Sequence, residues 1–358
     1  MRIKKIIPTA LLILCMVFAV GCGSETDTPA ASGSSDPAAV VTEPEPEPPA
    51  GFYYPLTGLE APSLEATQKR PISVKIENSS DSRPQLGLNR ADVVYETRVE
   101  GGETRCNALW QSDVPDDVGN VRSARLSDHW IVPQYSALFF NAGGNNEYDA
   151  GIPLYINYNM SYHFPEVPYY RTSNRVAPHN LYLDLSEIYD VAEDLGYPSS
   201  TDNVKGLYFG DHTTADGAVP ASGSAKAAAS ITITYANYSE AHWDWDAAKK
   251  VYLRTQGGKV HTDAETGDQV FSTNVVLLFA DYSLRGALDP AGNPTWDIDM
   301  GGTGKVIVCK DGKQYEGKWQ ADRNTPPIFI GADGQQIPLN PGNTWIEVPA
   351  QDTPVTVE

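Results

Sequence analysis

Two polar segments carry the residue types that do chemistry. The first is Gly119-Asn120-Val121-Arg122-Ser123-Ala124-Arg125. It sets two arginines and a serine at what reads as a loop-to-helix transition, with Ser123 as the N-cap. A guanidinium binds carboxylate or phosphate through two parallel hydrogen bonds. A helix N-terminus adds free N–H groups and a positive dipole end. The segment therefore reads as an anion cradle. The second runs from Arg171 through Arg175 and Pro178 to His179 and Asn180. It is too polar and too broken for a helix. His179 has the chemistry of a general base or a hydrogen-bond donor, and fits a structural role equally well. Asn141, at the end of an expected strand, completes a cleft. The ligand-binding candidates are Arg122, Arg125, Arg171, Arg175, His179, Asn180 and Asn141. The catalytic candidates are His179 as base and Ser123, or a water, as the attacking group. Nothing in the sequence places Ser123 beside His179.

Other catalytic patterns are missing. There is no Gly-x-Ser-x-Gly, no Ser-x-x-Lys and no His-Glu-x-x-His. Gly302-x-Gly304-Lys305 lacks the upstream glycine of a phosphate loop and reads as a turn between strands. Asp289, Asn293, Asp297 and Asp299 do not follow calcium-loop spacing. His261 reads as decoration on a hairpin flanked by Gly257-Gly258. Neither a metal nor a cofactor is expected. Cys106 and Cys309 lack zinc-ligand spacing and read as buried free thiols, with a disulfide as the alternative.

The elements that must position these residues differ between the halves. Pro71 to Glu77, Val93 to Val99 and Thr104 to Gln111 read as strands, the last two turned by Gly101-Gly102. Ser123 to Pro133 and Leu185 to Leu195 have helical spacing, and Ala137 to Asn141 reads as a buried strand. From about Lys205, short alternating runs recur between turn signals such as Asp311-Gly312 and Asp333-Gly334. Gly223 to Ala229 reads as a helix or flexible bridge. The expectation is an α+β N-terminal domain over 52–200, then a mainly-β domain over 201–358.

Charge type divides at the same place. Residues 52–200 hold nine arginines and two lysines, whereas 201–358 hold three arginines and nine lysines. An acidic domain that uses Arg for nearly all its positive charge is organising ion pairs or an anion site. Glu77, Glu96, Glu100 and Glu103 are the expected partners. The chain carries a net charge of −20, which argues against a nucleic-acid partner.

The N-terminus reads as an address. Arg2, Lys4 and Lys5 precede an apolar run from Ala10 to Val20, too short for a stable span. Ala19-Val20-Gly21-Cys22 matches a lipobox. Residues 1–21 read as a signal peptide and Cys22 as the lipidated residue. The stretch up to 51 has no Lys, Arg or aromatic residue and alternates Pro with Glu, so it reads as a disordered tether.

The runs RPISVKIEN at 70, RPQLGLNRADVVYE at 83, VEGGETR at 99, GNVRSAR at 119, NAGGN at 141 and RVAPHNLY at 175 resemble the YerB-like family of bacterial lipoproteins. So do YLRTQGGKVHTDAETG at 252 and GNTWIEV at 342. The resemblance implies two adjacent domains of unknown function on a lipoprotein. It implies Gly-Pro before the Arg-Ser-Ala-Arg segment, where this chain has Gly119-Asn120.

The sequence thus predicts an extracytoplasmic lipoprotein on the outer face of the cell membrane, anchored by acylated Cys22. It binds an anionic cell-envelope ligand or a partner protein. The alternative is an envelope hydrolase or transferase with His179 as base. A third reading makes the β domain an interaction module with exposed Tyr and Trp.

Overall fold

A computed structural model describes residues 51–210, 225–289 and 292–358. The expected signal peptide, Cys22, the tether up to residue 50 and residues 223–224 of the expected bridge lie outside the described residues. The described residues all belong to one compact unit.

Apolar and polar residues alternate along strand β1 (Ile72–Glu77). Ile72, Val74 and Ile76 therefore share one face and pack into one core cluster. Strands β2 (Val93–Arg98) and β3 (Thr104–Trp110) form a hairpin, and β1 pairs antiparallel with β3. The hairpin turns at Gly101 and Gly102, whose φ values of 69° and 80° strain any residue with a Cβ. Strand β4 (Asp117–Gly119) precedes helix α1 (Asp128–Tyr135). Strand β5 (Leu138–Phe140) then pairs parallel with β1. Helix α2 (Asn146–Tyr155) follows. Strands β6 (Tyr169–Arg171) and β7 (Leu181–Asp184) join β4 in a small sheet ordered β4-β7-β6. Helix α3 (Ile188–Asp194) ends the first half.

The second half is mostly strand. Strands β8 (Ser230–Ala236), β9 (Ser239–Asp246) and β10 (Val251–Gln256) form an antiparallel meander. Strand β11 (Asn274–Leu278) precedes a two-stranded ribbon of β12 (Asp281–Leu288) and β13 (Pro294–Asp299). Strands β14 (Gly302–Lys310), β15 (Lys313–Asp322) and β16 (Thr325–Gly331) follow. Asp311 and Gly312 turn the first of these hairpins, both at positive φ, as the Asp-Gly signal predicts. Strand β17 (Thr344–Val348) leads to β18 (Val355–Val357), which closes the meander beside β8.

Strand β17 joins the halves. It pairs parallel with β11 on one side and with β2 on the other. One ten-stranded sheet therefore runs from a short strand at Lys226–Ala227 through β15, β14, β11, β17, β2, β3 and β1 to β5, with β16 paired to β15. Lys226–Ala227 is thus an edge strand, where a helix or flexible bridge was expected over 223–229. Composition changes near residue 200, but the sheet does not stop there. Both faces are covered: Trp345 faces one core cluster, while Ile346 and Val348 face the other.

A buried ion cluster crosses the same seam. Arg254 reaches Glu96 at 2.6 Å and Glu347 at 2.8 Å, with all three side chains fully buried. Its guanidinium lies 4.8 Å from the Trp243 ring and 4.5 Å from the Trp345 ring. Glu96 thus pairs with an arginine of the other half, contrary to expectation. Both tryptophans are buried, which corrects the expectation that they are exposed. His261 is also interior, because Arg254 Nε donates to its Nδ1 at 3.1 Å.

Helices are few, and two start late. The expected helix over 123–133 begins only at Asp128, and the one over 185–195 only at Ile188. Ser123 is therefore not an N-cap. The Asp128 carboxylate sits at the start of α1 instead, accepting the Arg125 N–H at 2.7 Å. It is held there by Lys75 at 2.8 Å and Asn107 at 3.0 Å. The proposed cradle of free helix N–H groups does not form.

Candidate functional site

Three backbone segments meet at the end of β1. The Glu77 N–H donates to the Asn120 carbonyl at 2.9 Å, and the Arg122 N–H donates to the Lys75 carbonyl at 2.8 Å. The Val121 N–H donates outward to the Leu181 carbonyl at 2.7 Å. Residues 120–122 thus run between the end of β1 and the start of β7. This threading brings Arg122 and His179 to one carboxylate.

That carboxylate is Glu77. His179 Nδ1 lies 3.0 Å from its Oε2, and Arg122 Nε lies 3.2 Å from the same oxygen. Ser79 Oγ donates to Oε1 at 3.0 Å. Glu77 is buried, with 6% of its side chain exposed, against 21% for Arg122 and 25% for His179. A neutral His179 that donates from Nδ1 keeps Nε2 as an acceptor. The Glu77–Arg122 contact is an ion pair without good hydrogen-bond geometry, since Arg122 Nε has no hydrogen-bond partner.

Arg105 sits opposite Glu77 in the β1–β3 register. It is buried and donates from Nη1 to the Ser123 carbonyl at 2.6 Å. Burial, then repulsion from Arg125 and Arg122, pushes its guanidinium down to about 9. Arg125 is engaged by Glu100, its Nε donating to both carboxylate oxygens at 2.7 and 2.8 Å. Burial alone would raise Glu100, but the hydrogen bonds and charge of Arg125 outweigh it and hold the carboxyl below its usual range.

The other candidates are dispersed. Arg175 clamps the loop after β1, donating to the Ser82 carbonyl and to the Pro84 carbonyl at 2.7 Å. It also donates to Asn120 Oδ1 at 3.0 Å, and Asn120 Nδ2 donates to the His179 carbonyl. Arg171 is exposed and donates to Asn180 Oδ1 at 2.8 Å, while Asn180 donates to the Thr172 carbonyl. Ser123 Oγ donates to the Ala142 carbonyl at 3.2 Å. Asn141 is fully buried and bonded to Asn159 and the Gly143 N–H, so it lines no open cleft. Arg122 and His179 come together, with Arg175 linked to them through Asn120. Arg125, Arg171, Ser123 and Asn141 do not join them.

Sequence reasoning took Glu77 as a structural partner and missed Arg105 and Asn120 at the site. The strand register is the signal that places Arg105 opposite Glu77.

Two family models match the chain. One, for the N-terminal domain of a protein of unknown function (DUF3048), covers residues 56–198. The other, for its C-terminal domain, covers 231–346. YerB of Bacillus subtilis, whose name describes it provisionally as a lipoprotein, is 30% identical over 302 residues. The match spans 82% of this chain and 85% of that protein. The chain belongs to the YerB-like family of paired DUF3048 domains. A crystal structure of the YerB protein from Bacillus subtilis matches with a TM-score of 0.72 and 27% identity. It covers 85% of this chain and 99% of the other. Where the resemblance implied Gly-Pro, the Gly119–Asn120 bond of this DUF3048 chain is cis. Among the described residues, no helix is long and apolar enough to cross a membrane.

Proposed function

We propose that this DUF3048 protein is an extracytoplasmic lipoprotein held on the outer face of the cell membrane by acylated Cys22. Its body binds an anionic cell-envelope ligand at Arg122 and His179. The lipobox at Ala19 to Cys22 and the lipoprotein name of the relative support the anchor. One observation carries the site. Arg122 and His179 both face the buried Glu77 carboxylate, and Arg122 Nε has no hydrogen-bond partner among the described residues. A partly exposed guanidinium that its carboxylate does not hold by a hydrogen bond favours an incoming anion.

The test is thermal shift on residues 51–358 against muropeptides, teichoic-acid fragments and simple anions. Ligand at 100 times Kd stabilises by about 2.7 kcal/mol. Arg122→Lys loses the planar fork and abolishes the shift. A shift unchanged in Arg122→Lys, or no shift with any ligand, contradicts the reading.

The Glu77–His179 contact favours a second reading, an envelope hydrolase or transferase. Glu77 orients the imidazole and Nε2 takes a proton from an attacking water. Ser123 is the weaker nucleophile here, since its hydroxyl is bonded to the Ala142 carbonyl. Turnover of any panel ligand that is lost in His179→Gln favours this reading.

A further inference from the structure

A cavity of about 330 Å³ opens on the seam between the two halves, apart from the Glu77 site. One wall is the loop after β1, with Ser80 and Arg83. The other is the hairpin after β10, with Gln256, Lys259 and Thr262, and Tyr238 beside it. Arg175 holds the same loop through the Ser82 and Pro84 carbonyls. The cavity lining includes none of Glu77, Arg122 and His179.

The lining is one-sided in chemistry. It includes two cations and no carboxylate. Neither Arg83 nor Lys259 forms an ion pair among the described residues. Arg83 Nη1 is buried without a hydrogen-bond partner. Such a buried orphan donor is costly, and it leaves the Arg83 guanidinium, which lines the cavity, without an anionic partner among the described residues. Burial, then the nearby charge of Arg254, lowers the Arg83 guanidinium, against a pull from Glu103 and Glu96. The floor is fixed from behind. Gln256 Oε1 accepts from Arg254 Nη2 at 2.5 Å, which leaves its amide NH₂ to donate elsewhere. His261 accepts from Arg254 at Nδ1 and lies 2.6 Å from Gln85 Oε1 through Nε2, so it is neutral and donates to Gln85.

We propose that this cavity binds a tetrahedral oxyanion, the phosphate group of a phosphate ester. A planar guanidinium, an ammonium, an amide NH₂ and the Tyr238 and Thr262 hydroxyls supply donors in several directions, while the Ser80 hydroxyl donates to Asp81 Oδ1 at 3.4 Å. That suits the acceptor oxygens of phosphate better than the two of a planar carboxylate. The site draws on both halves, so its ligand bridges them. It stands independently of the Arg122 reading.

Titration calorimetry of residues 51–358 with inorganic phosphate, glycerol phosphate and acetate tests the assignment. The expected result is binding of both phosphates and at least about tenfold weaker binding of acetate. Arg83→Gln and Lys259→Gln each weaken phosphate binding by about tenfold or more. Lys259 is exposed, so its variant keeps the fold and controls for any instability of Arg83→Gln. Lys313→Gln, at an exposed lysine that belongs to neither site, leaves phosphate affinity within about twofold. Tighter binding of glycerol phosphate than of inorganic phosphate assigns the site to an ester, and the reverse order overturns the ester. Absence of phosphate binding, equal binding of acetate, or affinity unchanged in both cavity variants overturns the site. Loss of binding only in Arg122→Lys moves the anion to the Glu77 site and also overturns this one.

Discussion

His179 Nδ1 lies 3.0 Å from Glu77 Oε2, an oxygen that Arg122 Nε also approaches at 3.2 Å. Residues from two distant segments thus depend on one buried carboxylate. Glu77→Ala leaves Arg122, His179 and Ser79 without it and lowers unfolding stability by about 2 kcal/mol. His179→Ala, at a more exposed position, costs less than about 1 kcal/mol. Urea unfolding at neutral pH measures both. A Glu77→Ala cost as small as that of His179→Ala removes Glu77 as the organising group.

The Arg254 cluster predicts a larger effect. Arg254→Ala leaves Glu96 and Glu347 facing each other in a dry interior. Removing one partner of such a buried set costs about 3–5 kcal/mol. The Glu96→Gln/Arg254→Met double variant recovers part of this loss, because one uncompensated charge is gone. Chemical denaturation of the wild type and the two variants checks both statements, and a double variant no more stable than Arg254→Ala contradicts the second.

Glu347 makes the same cluster sensitive to pH. Burial, and then the charge of Glu96, push its carboxyl up to about 7 despite Arg254. The folded state therefore holds this proton more tightly than the unfolded chain, whose carboxyl has its ordinary value of 4.5. The associated stability is complete below the unfolded value and is lost as pH rises through about 7. Other groups titrate in the same window, so the comparison is with Glu347→Gln. The stability of wild type relative to that variant falls between pH 5 and pH 7, within the window set by about 4.5 and 7. A difference that is flat or rising across this range contradicts the assignment.

Cys106 and Cys309 are free and buried, and burial raises both thiols. Ellman's reagent therefore labels neither in folded residues 51–358 and labels both in denaturant. Labelling of neither in denaturant indicates a disulfide, and rapid labelling when folded indicates an open core.

Much of the strand pattern was legible, because β-branched alternation and Asp-Gly turns act locally. PISVKIE, the Gly101-Gly102 turn and the Asp311-Gly312 hairpin all appear where the sequence places them. The site was legible only in part. Arg122 and His179 stand out by type, but their meeting depends on residues 120–122 running between β1 and β7, which is long-range pairing. The start of α1 failed for the same reason. Ser123 is a good cap by type, yet the helix starts at Asp128, whose carboxylate holds the Arg125 N–H and is anchored by Lys75 and Asn107 of neighbouring strands. The pairing of Arg254 with Glu96 was not legible, because it spans 158 positions and depends on β17 docking beside β2.

The most direct test of the anion site is an NMR titration of the His179 imidazole in residues 51–358, assigned by its loss in His179→Gln. The ligand is the anion giving the largest thermal shift. The account predicts a saturable change in the His179 resonance at the affinity seen by calorimetry, weakened about tenfold or more in Arg122→Lys. A ligand that binds with full affinity while the His179 resonance stays still, in wild type and Arg122→Lys alike, contradicts it.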